Sequence, residues 1–205
     1  MLIQAASVRQ TLRSTLMESQ KLSHEALQQK AAKIELVALD MDGTLTDGSI
    51  NISAEGELFK QFNAKDGLGI TTARRHGLKV CIITGRKGPI VQRRAEELGI
   101  GADVMSGISA KRQALLALAD KYDLTWEEIA FMGDDLNDLP ALLTAGLSAA
   151  PTDAAEDVKQ RVDFIASHKG GQGAVRDLLE LILKARGIWD VIVEEYTEEG
   201  KEDRQ

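Results

Sequence analysis

The sequence predicts an α/β fold: a Rossmann-like parallel β-sheet flanked by helices, with an inserted β-hairpin. Short, continuous apolar runs recur along the chain, and such runs are typical of strands that are covered on both faces. Amphipathic stretches alternate with these runs, which favours parallel strands joined by right-handed helical crossovers. One segment departs from the alternation and carries the signature of a two-stranded hairpin.

The predicted elements follow one another in regular order. Segment 48–63 predicts the hairpin, because Ile50 and Ile52 precede a turn at 54–56 and apolar residues follow it. Buried strands are predicted at 34–40, 79–84, 128–134, 146–150 and 163–166. Helices are predicted at 66–76, 87–98, 109–121, 137–145, 153–161 and 172–186.

The two ends of the chain differ from this central region. Residues 1–32 are rich in Gln, Ser, Ala and Leu, and predict an N-terminal helical arm. Residues 33–188 form the predicted domain, and 189–205 form an acidic C-terminal tail. The stretch 194–205 lacks a face that could join a core, so we expect it to be disordered.

Composition and charge narrow the class of protein. The chain has 205 residues, enough for one domain, and 43% hydrophobic with 28% charged residues suits a soluble globular protein. A net charge of −7 argues against nucleic acid and anionic membranes as partners, and 4% aromatic residues argue against a base-stacking surface. We therefore expect neither a nucleic-acid nor a membrane partner.

The single cysteine indicates a reducing compartment. Cys81 lies inside the apolar run KVCII, which predicts a small buried core residue and not a nucleophile. One cysteine allows no disulfide framework, no apolar stretch approaches the ~18 residues of a membrane span, and no signal-peptide pattern opens the chain. We expect a cytoplasmic protein.

Polar residues follow three predicted strands at the edge where α/β sheets bind ligands. A lysine also stands near the start of the helix that precedes the third of these strands. These residues are Asp40 and Asp42 after the first strand, Thr84, Gly85 and Arg86 after the second, Gly133, Asp134 and Asp135 after the third, and Lys111. We expect them to converge on one crevice.

The adjacent carboxylates predict a divalent cation. Mg²⁺ is held in proteins by one or two carboxylates together with waters and substrate phosphate. Asp40, Asp134 and a backbone carbonyl of the first loop could supply three ligands, and the ion would cancel their repulsion. A calcium loop beginning at Asp40 is excluded by spacing, since Leu45 and Asn51 stand where that loop needs glycine and glutamate.

The same residues could carry out phosphoryl transfer. Asp40 is placed for in-line attack on phosphorus, which forms an aspartyl phosphate. Asp42, two residues along an extended stretch, points to the same side and could exchange protons with the leaving oxygen and with water. Thr84 offers a hydroxyl and an amide to a phosphoryl oxygen, and Lys111 offers a positive charge.

Each element also has a purely structural interpretation. The two aspartates could be loop or cap residues, Thr84-Gly85 an ordinary turn, Lys111 a solvated charge, and 133–138 an acidic helix start. All four elements occur in order, and each lies at a strand end or begins a neighbouring helix. That combination favours the functional interpretation.

Together these motifs resemble a known superfamily. D-x-D-G-T at 40–44, the hydrophobic-T-G-R at 83–86, Lys111 and G-D-D-x-x-D at 133–138 are similar to the four motifs of the haloacid dehalogenase superfamily of phosphatases. The resemblance covers roughly 33–186. It implies Asp40 as nucleophile, Asp42 as general acid/base, and Mg²⁺ held by Asp40, the Asp42 carbonyl and Asp134.

A narrower resemblance follows from the spacing of the motifs. The intervals between them leave room only for the hairpin and single helices, so we expect no cap domain, the insertion that larger members of the superfamily carry between these motifs. The stretches 62–70, 83–87 and 170–177 resemble the family of 3-deoxy-D-manno-octulosonate 8-phosphate phosphatases. That resemblance implies a homotetramer with hairpins meeting at the centre, a phosphorylated sugar-acid substrate, and a role in lipopolysaccharide-precursor synthesis.

The resemblance also implies a substrate-binding set. Besides Lys111, which would contact the sugar-acid phosphate, its members are Asn63, Ala64, Lys65, Asp66, Gly67, Gly85, Arg86 and Arg94. An arginine fork would suit a substrate carboxylate. The structural alternatives are a helix-capping turn at 63–67 and solvated charges at Arg86 and Arg94.

Two departures leave the substrate open. Lys65 and Thr71 stand where arginines are common in the octulosonate enzymes. A nine-carbon, sialic-acid-type 9-phosphate is therefore an alternative substrate. A catalytically silent regulatory relative and a broad housekeeping phosphatase are alternatives of other kinds; the intact set of motif residues argues against the silent relative.

Overall fold

The computed structural model of the protein describes residues 22–198, and its central feature is a six-stranded parallel sheet. The strands are β1 (Leu36–Leu39), β4 (Lys79–Thr84), β5 (Val104–Ser106), β6 (Ile129–Met132), β7 (Leu147–Ala150) and β8 (Phe164–Ile165). Their order across the sheet is β5-β4-β1-β6-β7-β8, so β4 and β5 lie on one side of β1 and the later strands lie on the other. The predicted α/β class with flanking helices is confirmed.

Helices cover both faces of the sheet. Alternate residues of β1 explain this, since Val37 and Leu39 join one hydrophobic cluster and Leu36 and Ala38 join the other. The first cluster packs against α1 (His24–Ala31), α2 (Ala64–Arg75), α3 (Pro89–Glu97), α7 (Ala174–Ala185) and α8 (Trp189–Thr197). The second packs against α4 (Lys111–Tyr122), α5 (Leu139–Leu142) and α6 (Glu156–Lys159).

The hairpin forms a small sheet of its own. Strands β2 (Asn51–Ser53) and β3 (Gly56–Phe59) pair antiparallel and stand apart from the main sheet. This confirms the predicted insertion after the first strand. Four large apolar side chains are about half exposed or more on it: Ile50, Ile52, Leu58 and Phe59.

Some predicted elements differ from the structure. Strand β5 is absent from the prediction because it has three residues and lies at the sheet edge, half-buried and without a long apolar run. The long helices predicted at 137–145 and 153–161 are four-residue helices, and a 3₁₀ turn at Leu136–Asp138 precedes the first. Short helices give too little periodic sequence for their bounds to be predicted.

The two ends of the domain carry helices. Helix α1 begins after Ser23, whose hydroxyl accepts a hydrogen bond from the amide of Ala26; residues 1–21 of the predicted arm lie outside the described residues. The prediction that 194–205 is disordered is wrong for 194–197, since α8 extends to Thr197 and the Tyr196 hydroxyl lies 3.0 Å from that of Thr72. The acidic composition of this stretch gave no indication that it packs against the domain. Among residues 22–198, no helix combines the length and apolarity that crossing a membrane requires.

Candidate active site

The carboxyl ends of β1, β4 and β6 meet at one crevice. Strand β1 lies between β4 and β6, so the loops that leave these three strands are neighbours. The predicted convergence of the strand-end residues is therefore seen in the structure. The lining consists of Asp40, Asp42, Thr84, Gly85, Arg86, Lys111, Asp134, Asp135 and Asn137.

Three carboxylates lie close together at the crevice. Asp40, Asp134 and Asp138 each place a carboxylate oxygen within 4.8 Å of the others. Asp40 and Asp138 are buried, and Asp134 is half-buried. The structure thus brings together the two predicted carboxylate ligands, Asp40 and Asp134, and adds Asp138.

Asp138 is absent from the predicted site, and its contacts explain its place. One oxygen accepts hydrogen bonds from the amides of Asp134 and Asp135, at 3.0 and 3.3 Å, and thereby holds the loop after β6. The other oxygen lies 2.5 Å from Lys111 Nζ. The signal in the sequence is a capping box, because an acidic residue three positions after Asp135 can bond back to the start of the turn.

Lys111 links the carboxylates. Its Nζ lies 2.6 Å from Asp40 Oδ1, and the residue is 3% exposed, so the lysine is no solvated surface charge. Burial by itself would lower the pKa of Lys111, but the charges of Asp40 and Asp138 outweigh burial and raise that pKa. Lys111 is therefore a fixed cation at the base of the crevice.

One ammonium cannot balance three carboxylates. Burial, with the charges of Asp40 and Asp138, raises the pKa of Asp134 to about 8. Burial, with the charge of Asp138, raises the pKa of Asp40 to about 6. The carboxylates therefore resist being ionised together unless a further cation joins them. Oxygen donors in this arrangement fit a hard divalent ion such as Mg²⁺.

A glycine permits the close approach of Asp134. Gly43 has φ +94°, and a Cβ atom built there would overlap the Asp134 carboxylate. The hydroxyl of Thr44 lies 3.5 Å from Asp134 Oδ1, so the two loops also touch beside this point. The glycine of the D-x-D-G-T motif is therefore needed both for its backbone conformation and for space.

The glycine loop at 170–173 packs directly against the loop that follows β1. The amide of Gly171 donates to the carbonyl of Thr44 at 3.0 Å, and a Cβ atom on Gly170 would overlap the Gly43 carbonyl. Backbone lies directly on backbone here. The glycines of this stretch therefore allow the two backbone segments to pack closely.

Asp42 projects from the same loop towards two cations. Its Oδ2 lies 3.6 Å from Arg86 Nε, and its Oδ1 is paired with Lys60 Nζ. Lys60, at the end of the hairpin, is absent from the predicted site. The signal that could have indicated it is a lone charge in the stretch LFKQF, which also holds three large apolar residues.

The predicted phosphate-binding residues of the second motif lie in the crevice. Thr84 ends β4 and is buried, and its hydroxyl accepts a hydrogen bond from the amide of Arg86 at 3.3 Å. The side chain of Arg86 is 46% exposed at the mouth. Gly85 and Arg86 are thus the members of the predicted substrate-binding set that line the crevice.

The other predicted substrate-binding residues lie beside the crevice and not in its lining. Asn63 caps α2, with its side chain accepting from the amide of Lys65 at 2.8 Å. Asp66 is buried and accepts from the amides of Gly173 and Arg176, at 3.1 and 2.8 Å, which caps α7. The capping interpretation of this turn therefore applies to both side chains. Ala64 and Lys65 are exposed.

Arg94 also lies outside the crevice lining. Its guanidinium stacks 5.5 Å from the ring centre of Phe62 and pairs with Glu97 at 3.3 Å. A Cβ atom on Gly67 would overlap the Arg94 guanidinium, so the two residues pack closely. They line a separate small cavity together with Asn63 and Asp66.

Comparison with known proteins agrees with this site. Residues 64–146 match the haloacid dehalogenase-like hydrolase family. The chain is 40% identical over 161 residues to the 3-deoxy-D-manno-octulosonate 8-phosphate phosphatase of Haemophilus influenzae, which covers 78% of this chain and 89% of the relative. It is 42% identical over 161 residues to the Escherichia coli protein of the same name, covering 78% and 85%.

Solved structures show the same fold. The 3-deoxy-D-manno-octulosonate 8-phosphate phosphatase of Moraxella catarrhalis, in complex with magnesium ion, phosphate ion and the sugar acid, superposes with a TM-score of 0.82. It is 38% identical and covers 85% of this chain and 100% of its own. The cobalt-bound Haemophilus influenzae enzyme gives a TM-score of 0.79 at 37% identity, covering 82% and 99%. The chain therefore belongs to the haloacid dehalogenase superfamily of phosphatases, in the family of the 3-deoxy-D-manno-octulosonate 8-phosphate phosphatases.

Proposed function

We propose that this protein is a Mg²⁺-dependent phosphomonoesterase that hydrolyses 3-deoxy-D-manno-octulosonate 8-phosphate to the free sugar acid and phosphate. The observation that carries the proposal is the buried contact of Lys111 with Asp40, beside Asp134, at the switch point of the sheet. We infer the identity of the substrate from the relatives that are about 40% identical to this chain. The reaction belongs to the supply of precursors for lipopolysaccharide, and we propose that it takes place in the cytoplasm.

Asp40, Asp134 and the backbone carbonyl of Asp42 would hold the magnesium ion. When bound, Mg²⁺ supplies positive charge that offsets the carboxylates and stabilises the phosphoryl oxygens. Lys111 adds a fixed ammonium at the base of the crevice, and Thr84 offers its hydroxyl and amide to the same oxygens. Asp138 holds Lys111 and the loop after β6 in place.

The proposed reaction has two steps. In the first, an Asp40 oxygen bonds to phosphorus, the ester P–O bond breaks, and Asp42 gives its proton to the leaving oxygen. In the second, water gives a proton to Asp42 as its oxygen bonds to phosphorus, and the P–O bond to Asp40 breaks. Phosphate leaves, and Asp40 and Asp42 return to their starting states.

The test of this function is phosphate release with Mg²⁺, measured in parallel on the eight-carbon 8-phosphate and on a nine-carbon sialic-acid-type 9-phosphate. We expect a strong preference for the eight-carbon substrate and no turnover by Asp40→Asn. Preference for the nine-carbon acid would contradict the substrate and make Lys65 and Thr71 candidates for the cause. Absence of Mg²⁺-dependent turnover on any phosphomonoester would favour a silent regulatory relative.

We further propose that the protein is a homotetramer joined through its hairpins. The hairpin exposes four large apolar side chains on a sheet of only two strands, and such a sheet is marginally stable unless something packs on it. A fold without a cap also leaves the crevice open to water unless a neighbouring subunit covers it.

Charged residues on the hairpin should break this assembly. We expect the double variant Ile52→Lys/Phe59→Lys to sediment as a monomer, because both side chains are more than half exposed in one chain and would be buried between hairpins. Leu143→Lys is the matched control, since Leu143 is 66% exposed at the end of α5. A double variant that remains tetrameric would exclude the hairpin as the interface.

A further inference from the structure

Lys60 is a buried lysine at the junction of the hairpin and the crevice. It directly follows β3, and its side chain is 1% exposed. Its Nζ is paired with Asp42 Oδ1 and lies 2.7 Å from Glu57 Oε1. Lysines are almost never buried unless they are paired, so this side chain is held by its two carboxylates.

Glu57 holds Lys60 from the side of the hairpin. Both residues belong to one short segment, three positions apart, and the Glu57 side chain is 16% exposed. Burial by itself would lower the pKa of Lys60, but its contacts with the carboxylates of Asp42 and Glu57 outweigh burial and raise that pKa. Because its Nζ lies between these two carboxylates, Lys60 places a positive charge against Asp42.

Asp42 needs such a partner because of its neighbours. It stands two residues from Asp40 and lines the same crevice as Asp40 and Asp134. Like charges would drive the Asp42 carboxylate away from this cluster and towards solvent. Arg86, the second cation near it, is 46% exposed and 3.6 Å away, which makes it the looser of the two contacts.

We propose that Lys60 is a positioning residue for the phosphatase reaction. It holds the Asp42 carboxylate in the orientation from which Asp42 exchanges a proton with the leaving oxygen and then with water, and Glu57 locks Lys60 in place. The inference rests on the proposed phosphatase function, within which Asp42 is the general acid and base.

The first variant is Lys60→Met, which keeps the buried stem and removes the charge. We expect kcat to fall about ten- to hundredfold, because a misplaced general acid loses part of its usual effect. KM and the half-saturating Mg²⁺ concentration should stay within about twofold, since neither phosphate nor metal contacts Lys60 in this scheme. A rise in KM with unchanged kcat would overturn the proposal.

A double-mutant cycle with Asp42→Asn separates positioning from damage to the fold. If Lys60 acts through Asp42, Lys60→Met should change the residual turnover of Asp42→Asn by less than about twofold. Independent effects that multiply would mean that Lys60 acts elsewhere, and would overturn the proposal. Lys121→Met is the control, because Lys121 forms an exposed ion pair with Asp103 at 2.7 Å and should leave kcat unchanged.

A second variant guards against failure to fold. If Lys60→Met does not fold, Lys60→Arg keeps the charge, and we expect it to fold and to retain at least a tenth of the wild-type kcat. If Lys60→Arg also fails to fold, or folds without turnover, the role of Lys60 is structural and the proposal is wrong.

The wild-type measurement separates the two proposals. A wild type that turns over another phosphomonoester, but not the eight-carbon one, contradicts the proposed substrate, and the same cycle on that ester still decides the role of Lys60. A wild type without turnover on any phosphomonoester overturns both.

Discussion

The carboxylate of Asp134 lies in the space that a Cβ atom on Gly43 would occupy. The two residues are 91 positions apart in the chain. The loop after β1 and the loop after β6 can therefore meet closely only because one of them lacks a side chain at this point. The close cluster of Asp40, Asp134 and Asp138 depends on that contact.

Gly43→Ala should abolish activity. The added methyl group would displace Asp134, and the left-handed backbone at φ +94° adds strain of about 1 kcal/mol. We expect kcat/KM to fall at least about a hundredfold and the stabilisation by Mg²⁺ to disappear. Gly77→Ala is the matched control: its φ is +89°, and nothing lies within 4 Å of its Cβ position. Equal losses in both variants would mean that strain, and not the clash with Asp134, is the cause.

Binding of Mg²⁺ should strengthen as pH rises. In the metal-free protein, the pKa values of Asp40 and Asp134, about 6 and about 8, lie above the ordinary value of 3.8. The folded state therefore holds these protons more tightly than the unfolded chain, and its stability falls as pH rises from about 4 to about 8. The ion binds the ionised carboxylates, so binding must release protons.

The measurement is the rise in Tm that saturating Mg²⁺ produces at pH 5.5 and at pH 8.5. We expect a larger rise at the higher pH, and almost none at either pH for Asp134→Asn. A rise that is equal at both pH values would contradict the raised pKa values of Asp40 and Asp134.

Asp138→Asn should damage both stability and catalysis. The change would leave Lys111 buried with Asp40 as its remaining anionic partner and remove the charge that caps the loop after β6. Breaking a buried ion pair from one side costs about 3 kcal/mol. Urea unfolding should show a loss of this size, together with a lower kcat. Asp157→Asn is the control, since its pair with Arg161 is exposed and should contribute little.

Variants of Asp66 and Arg86 should show that Asp66 is a structural residue and that Arg86 is a substrate-binding residue. Asp66→Ala removes the cap of α7, which should lower the free energy of unfolding by about 1–2 kcal/mol and leave KM unchanged. Arg86→Met, at the mouth of the crevice, should raise KM about tenfold with little change in stability. An increase in KM for Asp66→Ala would instead support its predicted contact with the substrate.

Much of the chemistry could be predicted from local patterns. Apolar runs and helical stretches depend on neighbours within a few residues, so the parallel sheet and the residues at its strand ends are readable in order. Asp40, Thr84 and Asp134 were predicted to converge for this reason, and they do. The short strand β5 and the helix α8 were missed, since three edge residues or a single buried isoleucine leave too weak a pattern.

The order of the motifs, the fold class and the identity of the acidic and basic groups at the strand ends are readable from the sequence alone. The pairing of these groups is visible only in three dimensions: Lys111 contacts both Asp40 and Asp138, Lys60 contacts Asp42, and Asp66 faces α7. Sequence periodicity records burial against near neighbours only. An ion pair between distant residues depends on where two loops meet, and no repeat in the chain encodes that distance.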